Sequence, residues 1–219
     1  MSHLHLPDGL LPFWLWAPAF PVVLALLVVS GRTVEPRRVA YQGALGAMML
    51  AAMSVPLGPL DYHLSLAGPV GVLLGPAASL QVVFVVSVIL AFAGHGGLTS
   101  IGLNTLVLAV AASVASGVFG LVASRMRPPL AMALASAAGQ ALSGFFWFAI
   151  VTVGLKAPQR PSSLAAGPPH LELMTAVVIA LWLIGVLVES AVAWGVGRFL
   201  ARVHPGLLPL AGPLEPEAA

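Results

Sequence analysis

The N-terminal segment places two histidines directly ahead of a very apolar chain. Its first nine residues read Met-Ser-His-Leu-His-Leu-Pro-Asp-Gly, so that His3 and His5 carry the imidazoles. A terminal amine, deprotonated backbone amides and an imidazole can surround a metal ion in one plane, and square-planar nitrogen donors suit Ni(II) and Cu(II). Because the chain has no cysteine, any metal must be held by nitrogen or oxygen. The segment therefore indicates a nitrogen-ligated metal site.

Coordination chemistry leaves open which groups fill that plane. Counted from Met1, the amine, two amides and the third-position His3 fill all four positions. If Met1 is removed, as expected before a small residue, the amine of Ser2 and the second-position His3 leave one position for another ligand. Both arrangements bind metal only when the ligands have lost their protons, so affinity falls as the pH drops below the imidazole pKa.

The composition predicts an all-α, polytopic integral membrane protein. Of 219 residues, 59% are hydrophobic and 7% are charged, with a mean hydropathy of +1.03. A soluble domain of this size needs more polar surface. Without a basic patch, no nucleic-acid partner is indicated. We expect one membrane domain over 1–205, with a metal-binding segment at 1–11, and a short tail at 206–219.

Apolar runs predict the helical segments and leave one of them ambiguous. The clear spans are 13–29, 39–55, 101–124, 129–155 and 171–197. Between them, 68–92 is too short for two full spans and is interrupted by Gly75-Pro76. Whether residues 68–92 cross the membrane once or twice is decided by four later charges, those of Arg125, Arg127, Arg198 and Arg202. One crossing would put all four outside, whereas a short descending and a longer returning helix put them inside. The second alternative gives seven segments, an outer N-terminus and an inner C-terminus.

The stretch His5-Leu-Pro-Asp-Gly resembles a family signature. It is similar to the opening Met-His-Ile-Pro-Asp/Glu-Gly of cobalt/nickel substrate-binding membrane subunits of energy-coupling-factor transporters, the CbiM/NikM type. The alignment makes His5 the ligand histidine and Leu4 the equivalent of the family's first residue. A natural start at the Leu4 codon would then supply the amine at that position. The resemblance also gives Asp8 a role in orienting the segment.

Two further stretches resemble the same family. The run from His63 to Pro76 is similar to the family's Ser-x-His-x-x-Gly stretch and Gly-Pro break. The resemblance implies that His63 is the loop histidine that completes the square of metal ligands and that Ser65 is a supporting residue. Gly-His95-Gly-Gly-Leu-Thr-Ser-Ile-Gly-Leu-Asn104 is similar to the family's Gly-Gly-Leu-Thr-Thr-Leu-Gly-Ala-Asn run. The resemblance implies that His95 and Asn104 support the ligands by hydrogen bonds. Alternatively, they hold two helices together.

A stripe of small residues follows the second predicted span at three- and four-residue spacing. Its members are Ala40, Ala44, Ala47 and Ala51. Such a stripe allows close helix approach, either within this chain or, as the resemblance implies, against the membrane coupling subunit.

Gln140 and Glu189 are further polar residues in apolar spans. We expect Glu189, in the last turns of its predicted helix, to reach the cytoplasmic interface.

The resemblance implies capture of Ni²⁺ or Co²⁺ outside the cytoplasm of a prokaryote, across whose cell membrane the metal is delivered. The implied partners are a membrane coupling subunit, ABC-type ATPase subunits and a small auxiliary membrane subunit. The chain has no phosphate-binding GxxxxGK[ST] loop, so the ATPase must be another chain. The alternative is an intramembrane metal-dependent enzyme using His63, His95 and Glu189. It is the weaker hypothesis because the predicted topology places these groups on opposite sides.

Overall fold

The computed structural model describes residues 5–33, 36–56, 62–156 and 171–209. The helices are α1 (Phe13–Trp16), α2 (Ala19–Gly31), α3 (Val39–Ser54), α4 (Ala67–Phe92), α5 (Ile101–Val122), α6 (Pro128–Leu155) and α7 (Leu171–Val203). By length and composition, α1 with α2, α4, α5, α6 and α7 could each cross a membrane, and α3 is a shorter apolar helix. The predicted all-α membrane bundle is confirmed.

Helix α4 reverses direction at Gly75, as the sequence predicts. Gly75 has φ 76° and ψ 171°, a conformation essentially restricted to glycine, and Pro76 follows it. A straight helix of 26 residues would separate its ends by roughly 39 Å. However, the rings of His63, just before α4, and His95, just after it, have centroids 5.8 Å apart. The segments before and after Gly75 therefore run back toward the same end of the bundle.

The reversal gives the bundle a histidine end, defined by His63 and His95, and an opposite arginine end. Arg127, Arg198 and Arg202 line one pocket at the arginine end. Gln81, which follows the Gly75 break, donates a 3.3 Å hydrogen bond to Ser30 Oγ at the end of α2. The basic residues after α2 thus also lie away from the histidines. The grouping of arginines at one end agrees with the predicted topology, in which that end faces the cytoplasm.

Helix α5 packs against α4 and α6, and small residues allow these two neighbours to approach it closely. A Cβ on Gly71 of α4 would overlap the backbone of Ala112, and one on Gly139 of α6 would overlap the carbonyl of Ala111. These contacts leave no room for a side chain between the helices.

One sequence expectation is corrected, and one open alternative is decided. Helix α7 continues to Val203, well beyond the predicted end at Gly197, because an isolated glycine does not end a helix and no proline occurs before Pro205. Of the two alternatives for the alanine stripe, the structure excludes packing inside this chain. All four of its members are exposed on α3: Ala40, Ala44, Ala47 and Ala51. The opposite face buries Leu45, Met49 and Met53.

We expect Gly71→Ala to destabilise the bundle by about 1–3 kcal/mol, because its methyl group must push α4 away from α5. Thermal unfolding of the purified protein in detergent measures this as a lower Tm. Gly117→Ala is the matched control, since nothing lies within 4 Å of its Cβ position, and alanine favours the helix. Equal Tm values for the two variants would contradict the close contact.

Candidate metal centre

An N-terminal strap (residues 5–8) lies in a cradle formed by residues 96–104. Asn104 Oδ1 accepts a 2.7 Å hydrogen bond from the Leu6 amide, and Asn104 Nδ2 donates a 3.2 Å bond to the Leu6 carbonyl. The amide of Gly97 donates to the same carbonyl at 3.1 Å. The Leu6 side chain is 0% exposed and packs in an apolar cluster. The strap is therefore anchored by both its backbone and its side chain.

Asp8 holds the next part of the strap. Its carboxylate accepts hydrogen bonds from the amides of Leu98 and Thr99, at 2.9 and 2.8 Å, and from the Thr99 hydroxyl. A Cβ on Gly97 would overlap Asp8, so glycine is needed for this approach. The Thr99 hydroxyl and the two amides lower the pKa of Asp8. The carboxylate thus stays ionised at neutral pH, and the contact weakens only in acid.

His63 is oriented by the end of α3. The side chain is 6% exposed, and its Nδ1 lies 2.7 Å from the carbonyl oxygen of Met53. That carbonyl belongs to the last turn of α3, where the helix supplies no amide to pair with it. Since a carbonyl can only accept, Nδ1 carries the proton and Nε2 presents a lone pair. With Nδ1 held in this way, a neutral His63 ring would bind a metal through Nε2.

The turn after α4 brings the histidines together. Gly94 has φ 81°, and the amides of Gly94 and His95 donate to the carbonyls of Ala91 and Leu90, which ends the helix in a Schellman motif. His95 then lies against His63, and a Cβ on Gly96 would be 3.7 Å from His5 Cδ2. Both ring nitrogens of His5 are shielded from solvent.

The predicted terminal donors, Met1, Ser2, His3 and Leu4, lie outside the described residues. Within the ranges that are described, no three His, Cys, Asp or Glu side chains form a metal-binding group. Such a group is not required by the predicted chemistry, in which a terminal amine and backbone amides supply donors alongside imidazoles.

Glu189 is the supporting residue that sequence reasoning missed. It is 1% exposed, and its carboxylate accepts hydrogen bonds from the amides of Ser65 and Leu66. The expectation that it reaches the cytoplasmic interface is wrong, because α7 extends further and places Glu189 beside the His63 loop. The prediction that Glu189 and His63 lie on opposite sides of the membrane is also wrong. Leu66 has φ 54°, an uncommon left-handed conformation for a branched residue, and the carboxylate binds the loop at this point.

A hydrogen-bond network connects the same loop to α6 and α7. Gln140 Nε2 donates to Ser65 Oγ at 2.5 Å, and the carbonyl of Gln140 accepts from Trp182 Nε1 at 3.3 Å. Tyr62, just before His63, donates from its hydroxyl to the carbonyl of Gly185 at 3.3 Å. Ser65 therefore supports the loop, as predicted, through contacts that join it to the two C-terminal helices.

Two crystal structures share this fold. One is described as a truncated transition metal transporter. It is 20% identical, with a TM-score of 0.74, and the match covers 90% of this chain and 98% of that one. The other is described as a transition metal transporter. It is 19% identical, with a TM-score of 0.75 and coverages of 91% and 93%. At these identities the likeness concerns the fold. No curated protein sequence matches the chain.

A family model does match the sequence over nearly its whole length. The family is CbiM, described as a cobalt uptake substrate-specific transmembrane region, and the match covers residues 5–207. This range includes the strap, the cradle, the His63 loop and Glu189. The chain therefore belongs to the CbiM family of cobalt uptake proteins, and it is a metal-binding transport subunit rather than an enzyme.

Proposed function

We propose that the histidine end captures Ni²⁺ or Co²⁺ with His5, His63 and the nitrogen donors of the N-terminus. The observation that carries this proposal is the convergence of two irregular segments. Asn104 fixes the backbone next to His5, and the Met53 carbonyl selects the tautomer of His63 that presents Nε2. The strap and the loop are thus prepared before the metal arrives, which lowers the entropic cost of binding it.

The remaining donors follow from the identity of the terminus. With an amine at Leu4, His5 becomes the second residue and the amine, one amide, His5 and His63 make a four-nitrogen plane. With an amine at Met1 or Ser2, His3 takes part instead. We favour His5, because the hydrogen bonds of Leu6 and Asp8 hold the residues that follow it. Planar nitrogen donors suit Ni(II), whereas the family description names cobalt, and both ions are proposed as substrates.

Supporting residues keep these ligands in place. Asp8 and Asn104 hold the strap, while Ser65 and Glu189 hold the loop. His95 lies between the two segments, with its ring against His63. We assign it the role of packing the two ligand-bearing segments together.

Delivery requires partners in the cell membrane of a prokaryote. We propose that a membrane coupling subunit, ABC-type ATPase subunits and a small auxiliary membrane subunit move the captured ion from the histidine end, facing outward, to the cytoplasm. The exposed stripe of Ala40, Ala44, Ala47 and Ala51 supports docking of the coupling subunit on α3, because small residues let two membrane helices approach closely.

His63→Ala is expected to abolish capture, because it removes a ligand. The loss of affinity for Ni²⁺ and Co²⁺ exceeds the 10–100-fold that is typical when a supporting residue is removed. Equilibrium competition with a metal chelator, read by elemental analysis, measures it for both ions. His204→Ala is the control, since His204 is exposed beyond α7. Unchanged metal content in His63→Ala would refute the assignment.

Glu189→Ala is expected to weaken metal affinity by about 10–100-fold, because the Ser65 and Leu66 amides lose their acceptor and the His63 loop is no longer fixed. Glu189→Gln keeps one acceptor oxygen and should recover part of the affinity. The same competition assay measures both. The neighbouring Ser190→Ala removes only a bond to Val186 within α7 and serves as control. Wild-type affinity in folded Glu189→Ala would show that the loop needs no such support.

Ala44→Leu with Ala47→Leu is expected to prevent association with the coupling subunit while leaving metal binding intact, because the longer side chains keep the partner helix away. Copurification of the co-expressed subunits measures the association. Ala180→Leu, on an exposed position of α7, is the matched control. An intact complex with both stripe substitutions would place the docking surface elsewhere.

A further inference from the structure

A basic pocket of about 350 Å³ lies at the arginine end, far from the metal centre. It is formed where the start of α6 meets the last turns of α7. Three arginines, Arg127, Arg198 and Arg202, contribute to its lining, together with Leu130 and Trp194. The Arg198 guanidinium lies over the Trp194 ring, 5.2 Å from the ring centroid, and this cation–π contact restricts where its charge is held.

Carboxylates do not neutralise these arginines within the part of the chain that the structure describes. Among residues with described side chains, the carboxylates are those of Asp8 and Glu189. Asp8 binds the cradle and Glu189 binds the His63 loop, both at the histidine end. Three positive charges beside one pocket, without a carboxylate near them among the described residues, favour an anionic ligand. The pocket is therefore arranged for an anionic group.

We propose that this pocket binds the phosphate head group of an anionic phospholipid. Guanidinium groups match phosphate oxygens with paired hydrogen bonds. The lining also has an apolar side, because Leu130 and Trp194 are 48% and 39% exposed. An acyl chain can lie along these side chains while its head group enters the pocket.

The position in the bundle agrees with a lipid ligand. Arginines gather at the end that the positive-inside bias assigns to the cytoplasm, where anionic lipids concentrate, and basic pockets between membrane helices bind such head groups. A lipid also reaches the site within the bilayer, without a partner chain. The occupant joins the start of α6 to the end of α7 and so stabilises the C-terminal pair of helices.

Lipid retention by the purified full-length chain tests the proposal. The chain is reconstituted in vesicles of phosphatidylglycerol and phosphatidylcholine, extracted into mild detergent and examined by native mass spectrometry. We expect wild type to retain phosphatidylglycerol in preference to phosphatidylcholine. R127Q/R198Q/R202Q should weaken retention on the order of a hundredfold, and R198Q or R202Q alone about fivefold. R125Q is the charge-matched control, because Arg125 lies at the same end and its guanidinium donates to the Leu121 carbonyl.

Several outcomes would overturn the proposal. A specific lipid site would be excluded if wild type and the triple variant retained equal amounts of phosphatidylglycerol. Equal retention of phosphatidylcholine and phosphatidylglycerol by wild type, or a loss of retention in R125Q as large as in the triple variant, would exclude it as well. Displacement of the lipid by millimolar inorganic phosphate alone would indicate a site for free phosphate. The sequence after residue 209 also carries two acidic residues, Glu215 and Glu217. If E215Q/E217Q gains lipid that wild type does not hold, the acidic tail is the occupant. If the triple variant fails to fold, the comparison uses R198Q and R202Q instead. Thermal unfolding checks that these single variants are folded.

Discussion

The proposed metal centre depends on the pairing of Asn104 with the backbone of Leu6. An amide side chain in an apolar helix and an irregular backbone segment without a neighbour both carry polar groups that are costly to bury, at about 2–7 kcal/mol for each unpaired group. Together they satisfy one another through two hydrogen bonds. The strap can therefore enter the bundle although it has no regular secondary structure. The Leu6 side chain is also buried at this position, so the segment that carries His5 is held by apolar packing as well as by hydrogen bonds.

The same principle organises the His63 loop, the second segment that carries a proposed ligand. Glu189 of α7 accepts hydrogen bonds from the amides of Ser65 and Leu66, and Gln140 of α6 donates a hydrogen bond to the Ser65 hydroxyl. One buried polar residue in each of α5, α6 and α7 thus serves an irregular segment near the metal centre. A non-helical backbone at membrane depth is tolerated only where protein groups satisfy it. Movement of α6 or α7 would disturb the His63 loop directly, which connects the rest of the bundle to the proposed ligand.

The reversal at Gly75 makes this arrangement possible, because it returns the chain to the end from which it started. The loop before α4 and the turn after it become neighbours, and His63 meets His95. The remaining helices are then ordered so that arginines collect at the opposite end. One glycine conformation therefore separates a histidine end, which holds the strap, from an end where arginines gather.

The sequence by itself determined the membrane class, the helical segments, the break at Gly75-Pro76 and the candidate residues of the strap, loop and cradle. These features depend on hydropathy, on backbone restrictions of glycine and proline, and on short motifs, all of which are local. The role of Glu189 was decided only by the tertiary structure, since its partner Ser65 lies 124 residues away and nothing near Glu189 indicates it. Likewise, the spacing of the α3 alanines predicts a close helix contact but cannot tell an inner from an outer face. That distinction depends on which side of α3 buries Leu45, Met49 and Met53, and hence on the assembled bundle.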